Sequence, residues 1–86
     1  MAQTLEQENI QQAMNLCPFL THLPQKELYA RYDEEANVLY LQFQRPANIH
    51  NSEIRDDGII IEYDTFDNIV GLTILEASTR GMILNN

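Results

Sequence analysis

Asp56-Asp57-Gly58 is the stretch of this chain whose residue types come nearest to a catalytic element. Adjacent carboxylates can split their pKa values, so that one donates a proton and the other accepts it. With His50 upstream, the set would serve a small carboxylate- or metal-dependent hydrolase. The same three residues also have turn composition, with Gly58 supplying a backbone angle that other residues avoid. The sequence fixes no Lys or His beside the two carboxylates, so the turn is the stronger expectation and the hydrolase the alternative. Asp33-Glu34-Glu35 is the densest acidic cluster, but it lacks the alternating Asp/Asn spacing, the glycine and the later Glu of a calcium loop. Cys17, His22 and His50 are the soft-ligand candidates. Zinc sites usually contain a close-spaced ligand pair, and these three are not spaced that way. Ser52 and Ser78 have no recognisable Ser–His–acid setting and no nucleophile elbow. Three glycines, at 58, 71 and 81, make no phosphate-cradling loop. No catalytic, cofactor or metal residue is therefore assigned, and no cofactor is expected.

The elements that would position these residues change character near residue 26. Within TLEQENIQQAMNLC, the residues Ile10, Ala13, Met14 and Cys17 fall at i, i+3, i+4 and i+7, the stripe of an amphipathic helix. Thr4 and Gln7 can form a capping box, and Pro18 is expected to stop the helix. PFLTHLPQ reads as an irregular connector. From Glu27 onward, short β-branched and aromatic runs predict strands near 28–33, 38–44, 59–64 and 69–77. RPANIHNSEIRDDG is read as a long loop. The tail TRGMILNN is expected to fold Met82, Ile83 and Leu84 back on the sheet.

YDEEANVLYL, residues 32–41, is repeated as YDTFDNIVGL, residues 63–72. Tyr32 matches Tyr63, Asp33 matches Asp64, Asn37 matches Asn68 and Leu41 matches Leu72. One strand–turn–strand hairpin is used twice. The shared residues carry a turn mechanism: Asp accepts bonds from nearby backbone N–H groups, and Asn tolerates the left-handed conformation. Glu34 and Glu35 become Thr65 and Phe66, so the acidic cluster belongs to a turn rather than to a repeated ligand set. Gly71, aligned with Tyr40, is expected to allow a bulge or the close approach of a bulky group.

Alternation assigns two faces. Leu28, Ala30, Tyr32, Leu39, Leu41, Phe43, Ile59, Ile61, Tyr63, Val70, Leu72 and Ile74 form a nearly uniform apolar set, expected to be the core face under the helix. The opposite set is mixed, and a merely solvated face should be more polar. Tyr29, Tyr40, Ile69 and Leu75 within it are the candidate interface for self-association.

YDEEANVLYLQF, DDGIIIEYD and IVGLTILEAS together resemble a small bacterial family catalogued as domain of unknown function 2283. The resemblance runs from about Tyr32 to Ser78. It implies a compact antiparallel sheet and no established catalytic residues; an antitoxin-like partnership with a small toxin is the role it suggests. Residues 1–26 fall outside it.

The expected architecture is α+β: a four-stranded antiparallel sheet of two pseudo-repeated hairpins, with the N-terminal helix packed on one face. Residues 1–26 hold the helix and connector, and residues 27–86 the sheet and tail, within one domain. Thirteen acidic against five basic side chains give a net charge of −8. That charge disfavours nucleic acid and anionic membrane as partners and suits a basic protein. A single cysteine and a polar start without a signal-like apolar run lead to a cytoplasmic expectation. The expected function is a non-enzymatic protein-interaction module, a homo-oligomer, with acidic turns that steer a basic partner. A small-ligand carrier, with a ligand held between apolar sheet faces, is a third reading.

Overall fold

The structure is a computed structural model that describes residues 2–83, with the side chains of residues 6–80. The order of elements is α1 (Ala2–His22), β1 (Tyr29–Asp33), β2 (Val38–Gln42), β3 (Asn51–Ile54), β4 (Ile59–Tyr63), β5 (Ile69–Leu75) and α2 (Ala77–Ile83). The strands form one antiparallel sheet in the order β1-β2-β5-β4-β3. The α+β class is as the sequence indicates, but the sheet has five strands, not four. The additional strand, β3, lies in the stretch read as a loop. All four of its residues are exposed, so NSEI carries no alternation of apolar and polar positions to betray it.

The two hairpins pair in the same register. Ala30 faces Leu41 in the first and Ile61 faces Leu72 in the second. Where the hairpins meet, Leu41 faces Leu72. Those two leucines are equivalent positions of the repeat, so a pseudo-two-fold axis passes between them. The four strands β1-β2-β5-β4 obey this axis. β3 breaks it by adding to the free side of β4 alone.

Both turns use the Asp chemistry expected of them, and the first also places its Asn in the expected left-handed conformation. Asp33 Oδ1 accepts the Ala36 N–H at 3.1 Å, and Asn37 takes a φ of 58°. In the second hairpin Asp64 Oδ1 accepts the N–H groups of Phe66 and Asn68 at 2.8 and 2.9 Å. There the left-handed residue is Asp67, with φ of 65°, rather than Asn68. The cause is a register shift beside Tyr63, which faces Ile69 where the first hairpin's pairing would put Val70. Such a bulge moves the turn by one residue. Gly71 lies next to it. A Cβ on Gly71 would come within 3.0 Å of the Leu41 carbonyl oxygen and closer still to Glu62 Oε1. The Glu62 carboxylate thus lies across the glycine, the close approach that its position in a strand suggests.

The helix does not stop at Pro18. It runs on to His22, with Pro18 inside it. The proline forfeits one donor, and on this exposed helix water can satisfy the orphaned Met14 carbonyl. Thr21 Oγ1 donates to the Cys17 carbonyl at 2.8 Å, and a His22 ring nitrogen lies 2.7 Å from the Pro18 carbonyl oxygen, so side chains close the last turn. The helix meets the sheet through its C-terminal end, where Leu16, Phe19, Leu20 and Leu23 line a groove of about 210 Å³ with Leu28 and Ala30. At roughly 100° per residue, Leu16 and Leu20 lie well round the helix from Ile10 and Met14. The Ile10 stripe, legible from its spacing, is therefore not the side that meets the sheet.

The buried apolar residues are Val38, Phe43, Ala47 and Val70, the last only 1% exposed. Leu39, Leu41, Leu72, Ile74, Ile59 and Ile61 share the expected face through their pairing, yet each is only half-buried. After β5 the chain turns at Glu76, with φ of 52°, into α2. The Ala77 N–H reaches the Asn37 carbonyl oxygen at 3.1 Å, and the Ser78 N–H reaches Asn37 Oδ1 at 3.0 Å. The expected fold-back of Met82, Ile83 and Leu84 lies outside the described side chains.

Candidate functional site

The β3–β4 connection holds the carboxylate pair. Asp57 is engaged twice: Arg55 Nε and Nη2 donate to its two carboxylate oxygens at 3.2 and 2.8 Å, and the Ile59 N–H donates to Oδ1 at 3.3 Å. Gly58 takes a φ of 84°. Arg80 of α2 donates through Nη2 to the Asp57 carbonyl and through Nε to the Leu75 carbonyl. These bonds build a turn that anchors α2. The Leu75 N–H completes it by donating to the Gly58 carbonyl at 3.0 Å. His50 lies before β3 and donates its backbone N–H to the Tyr63 carbonyl at 2.8 Å. The four residues of β3, about 13 Å of extended chain, separate it from Asp56 and Asp57. The structure does not bring the three together. The groove beside the carboxylates is open and lined by Glu53, Ile54, Arg55, Asp56 and Asp57.

Cys17 and His22 sit on the exposed last turns of α1. Among the described residues no three His, Cys, Asp or Glu side chains are grouped closely enough to hold a metal ion. Glu34 and Glu35 are exposed on the first turn. Asp64 is the acid whose setting perturbs it most plainly. The Asn68 N–H foremost, against some desolvation, with the Phe66 N–H and the Asn68 side chain in support, holds its carboxyl below the usual range. The Tyr63 hydroxyl donates to Glu53 at 3.0 Å. That bond, then loss of solvent and the charges of Glu53 and Asp67, push the phenol up.

Of the four interface candidates, Tyr29 and Tyr40 lie together. Arg31 faces Tyr40 and Tyr29 faces Gln42 across β1 and β2, so all four side chains occupy one face. The Arg31 guanidinium carbon sits 4.7 Å from the centroid of the Tyr40 ring, and that of Arg45 sits 4.8 Å from the Tyr29 ring. Tyr29, Arg31, Tyr40, Gln42 and Arg45 line a cleft of about 240 Å³ with Ala30. Ile69 and Leu75 are the two ends of β5, about 20 Å apart along an extended strand, and do not join this patch. Sequence reasoning placed Arg31 on the face of the two tyrosines without making it part of the candidate site, and missed Arg45. The signal for Arg31 was the alternation itself, since Tyr29 and Arg31 have one parity.

The match to the family described as protein of unknown function (DUF2283) covers residues 30–78, more than half of the chain. The chain belongs to that family. The matched stretch holds both hairpins and ends at Ser78, the residue whose N–H is held by Asn37. The Asn37–α2 joint thus falls within the family's stretch, while α1 and the connector lie before it. No curated protein and no solved structure matches the chain. No described helix is long and apolar enough to cross a membrane.

Proposed function

We propose that the protein is a non-enzymatic interaction module that works by associating with a second copy of itself. The observation that carries this reading is the uncovered apolar side of α1. Ile10 and Met14 are 55% and 59% exposed, on a side of the helix turned away from its groove with Leu28 and Ala30. Helices in proteins gain most of their stability by packing an amphipathic face against a partner surface. The half-buried row Leu39, Leu41, Leu72 and Ile74 offers a second apolar surface of the same kind. A partner copy that covers both would complete a core that a chain of 86 residues leaves thin. Ile69 and Leu75 alternate with Val70, Leu72 and Ile74 along β5, so they lie on the opposite face and outside such a contact. The exposed Glu34 and Glu35 give the assembly an acidic corner suited to steering a basic protein.

Sedimentation equilibrium tests the reading. The expected result is a dimer or larger species at micromolar concentration, converted to monomer by Ile10→Glu with Met14→Glu. Both positions are exposed, so the substitutions should leave the sheet's circular dichroism intact. A monomer at every concentration would overturn it.

A further inference from the structure

The pseudo-two-fold axis leaves one position vacant. In the second half of the sheet, β3 pairs with the outer side of β4: Ser52 faces Glu62 and Asn51 faces Tyr63. Among the described residues no strand lies in the equivalent place beside β1. Among the described residues the backbone of Tyr29–Asp33 bonds only to β2. Its outer N–H and C=O groups form an open template for an added strand. The end of α1 lies on the Ala30 side of this edge, and the cleft with Arg31 opens on the other side.

Among the described residues, the two arginines of that cleft have no carboxylate within salt-bridge distance. Arg31 and Arg45 are two of the chain's five cations. The other three are engaged elsewhere: Arg55 with Asp57, Arg80 with the Leu75 and Asp57 carbonyls, and Lys26 with the Thr21 carbonyl. Arg31 and Arg45 each lie against a tyrosine ring. A guanidinium held by its face keeps its in-plane N–H donors for an oxyanion, and its flat fork matches a carboxylate. Two acids border the cleft. Glu27 accepts the Tyr29 hydroxyl at 3.1 Å, and Glu62 shares its row with Gly71 and Gln42. Their charges offset the two arginines, which favours a singly charged carboxylate over a doubly charged phosphate. Pairing of β1 with β1 of a second copy about the strand's centre would place Arg31 opposite Arg31, a like-charge pair that opposes it.

The geometry points to a docking site for an acidic peptide, which adds as a strand to the free edge of β1 in the place that β3 takes on β4 and seats a carboxylate between Arg31 and Arg45. This site is separate from the apolar surface of α1 and stands without the self-association reading.

The test is an amide-resolved titration of the full chain with a blocked hexapeptide alternating valine and glutamate. Three further probes are the same peptide with glutamine for glutamate, one with a central proline, and inorganic phosphate. Shifts should concentrate on residues 29–33, 40–42 and 45, and amides of β1 should gain protection from exchange. Arg31→Gln and Arg45→Gln should each weaken binding about tenfold, the loss of one charge-assisted bond. Arg45 lies outside the strands, so its variant reports on the site even if Arg31→Gln disturbs the edge. The glutamine and proline peptides should bind at least about tenfold more weakly, for lack of charge and of a backbone donor. Equal binding of either control, indifference to Arg45→Gln, shifts elsewhere, or phosphate binding more tightly than the peptide would each overturn the proposal. So would an Arg31-dependent self-assembly without peptide, which would give the edge to a second copy.

Discussion

The turn at 33–37 and the turn at 64–68 begin from the same residues and end with different duties. In the second, Asp64 does nearly everything. It accepts two backbone N–H groups, and its second carboxylate oxygen accepts Asn68 Nδ2 at 3.3 Å. That turn closes on itself. In the first, Asn37 works outward. Its Oδ1 accepts the Tyr32 hydroxyl at 2.7 Å and the Ser78 N–H at 3.0 Å, and its carbonyl accepts the Ala77 N–H. One copy of the hairpin thus ends in a local knot and the other in a joint to α2. Local turn chemistry sets that a turn forms; which residue lies within reach of its outer side decides what else the turn does.

Replacing the two asparagines separates these duties. Asn37→Ala removes a side chain that tolerates positive φ together with an acceptor for the first turn of α2. Loss of the acceptor costs about 1 kcal/mol and the left-handed backbone about 1–2 kcal/mol more. We expect a loss of about 2–3 kcal/mol by urea unfolding, with faster exchange of the Ala77 and Ser78 amides. Asn68→Ala removes only a side-chain bond at an exposed site, and should cost under about 1 kcal/mol with no effect on α2. Equal losses would mean that Asn37 is no more than a turn residue.

The next comparison lies inside the strands, at Gly71 and its repeat equivalent Tyr40. Gly71→Ala puts a Cβ against the Leu41 carbonyl, which is backbone and cannot move aside, and against the end of Glu62, which can. The expected cost is about 1–2 kcal/mol, in the range of overpacking. In combination with Glu62→Ala the penalty should shrink but not vanish. A full rescue would show that the carboxylate alone occupies the space over the glycine.

These contrasts also show what the sequence could carry. The hairpins were legible because Asp33 and Asp64 accept backbone N–H groups within a few residues of themselves, and because Asn37 takes the left-handed backbone that a turn needs. The apolar rows were legible from parity, because pairing preserves it: Ala30, Leu41, Leu72 and Ile61 lie side by side. β3 was not legible, since an exposed edge strand needs no alternation and NSEI has none. Pro18 misled because a proline costs a helix one bond but does not oblige it to end. The cover of the core face was beyond reach as well. Ile10 and Met14 form one stripe and Leu16 and Leu20 another, and spacing cannot say which meets the sheet. The candidate cleft was half visible: Tyr29, Arg31, Tyr40 and Gln42 follow from strand parity and register, but the placing of Arg45 over Tyr29 comes from the chain beyond β2.

The smallest effect expected concerns pH, and it bears on the knot alone. The fold holds the Asp64 carboxyl below its ordinary value, chiefly through the Asn68 N–H. A carboxyl with a lowered folded pKa stabilises the fold above the unfolded value, about 3.9 for Asp, and loses that contribution as pH falls through the folded value. Asp64→Asn keeps an oxygen acceptor but no charge. The difference in urea midpoint between the natural chain and Asp64→Asn should therefore be constant from neutral pH down to about pH 5. It should narrow below pH 4, where the carboxyl begins to take up its proton. Because Asp64 is solvent-accessible, screening keeps the effect small, and added salt should shrink it further. If the difference stayed flat into acid, the carboxylate's charge would have no part in the turn, and the backbone bonds to Asp64 would act as those to a neutral amide do.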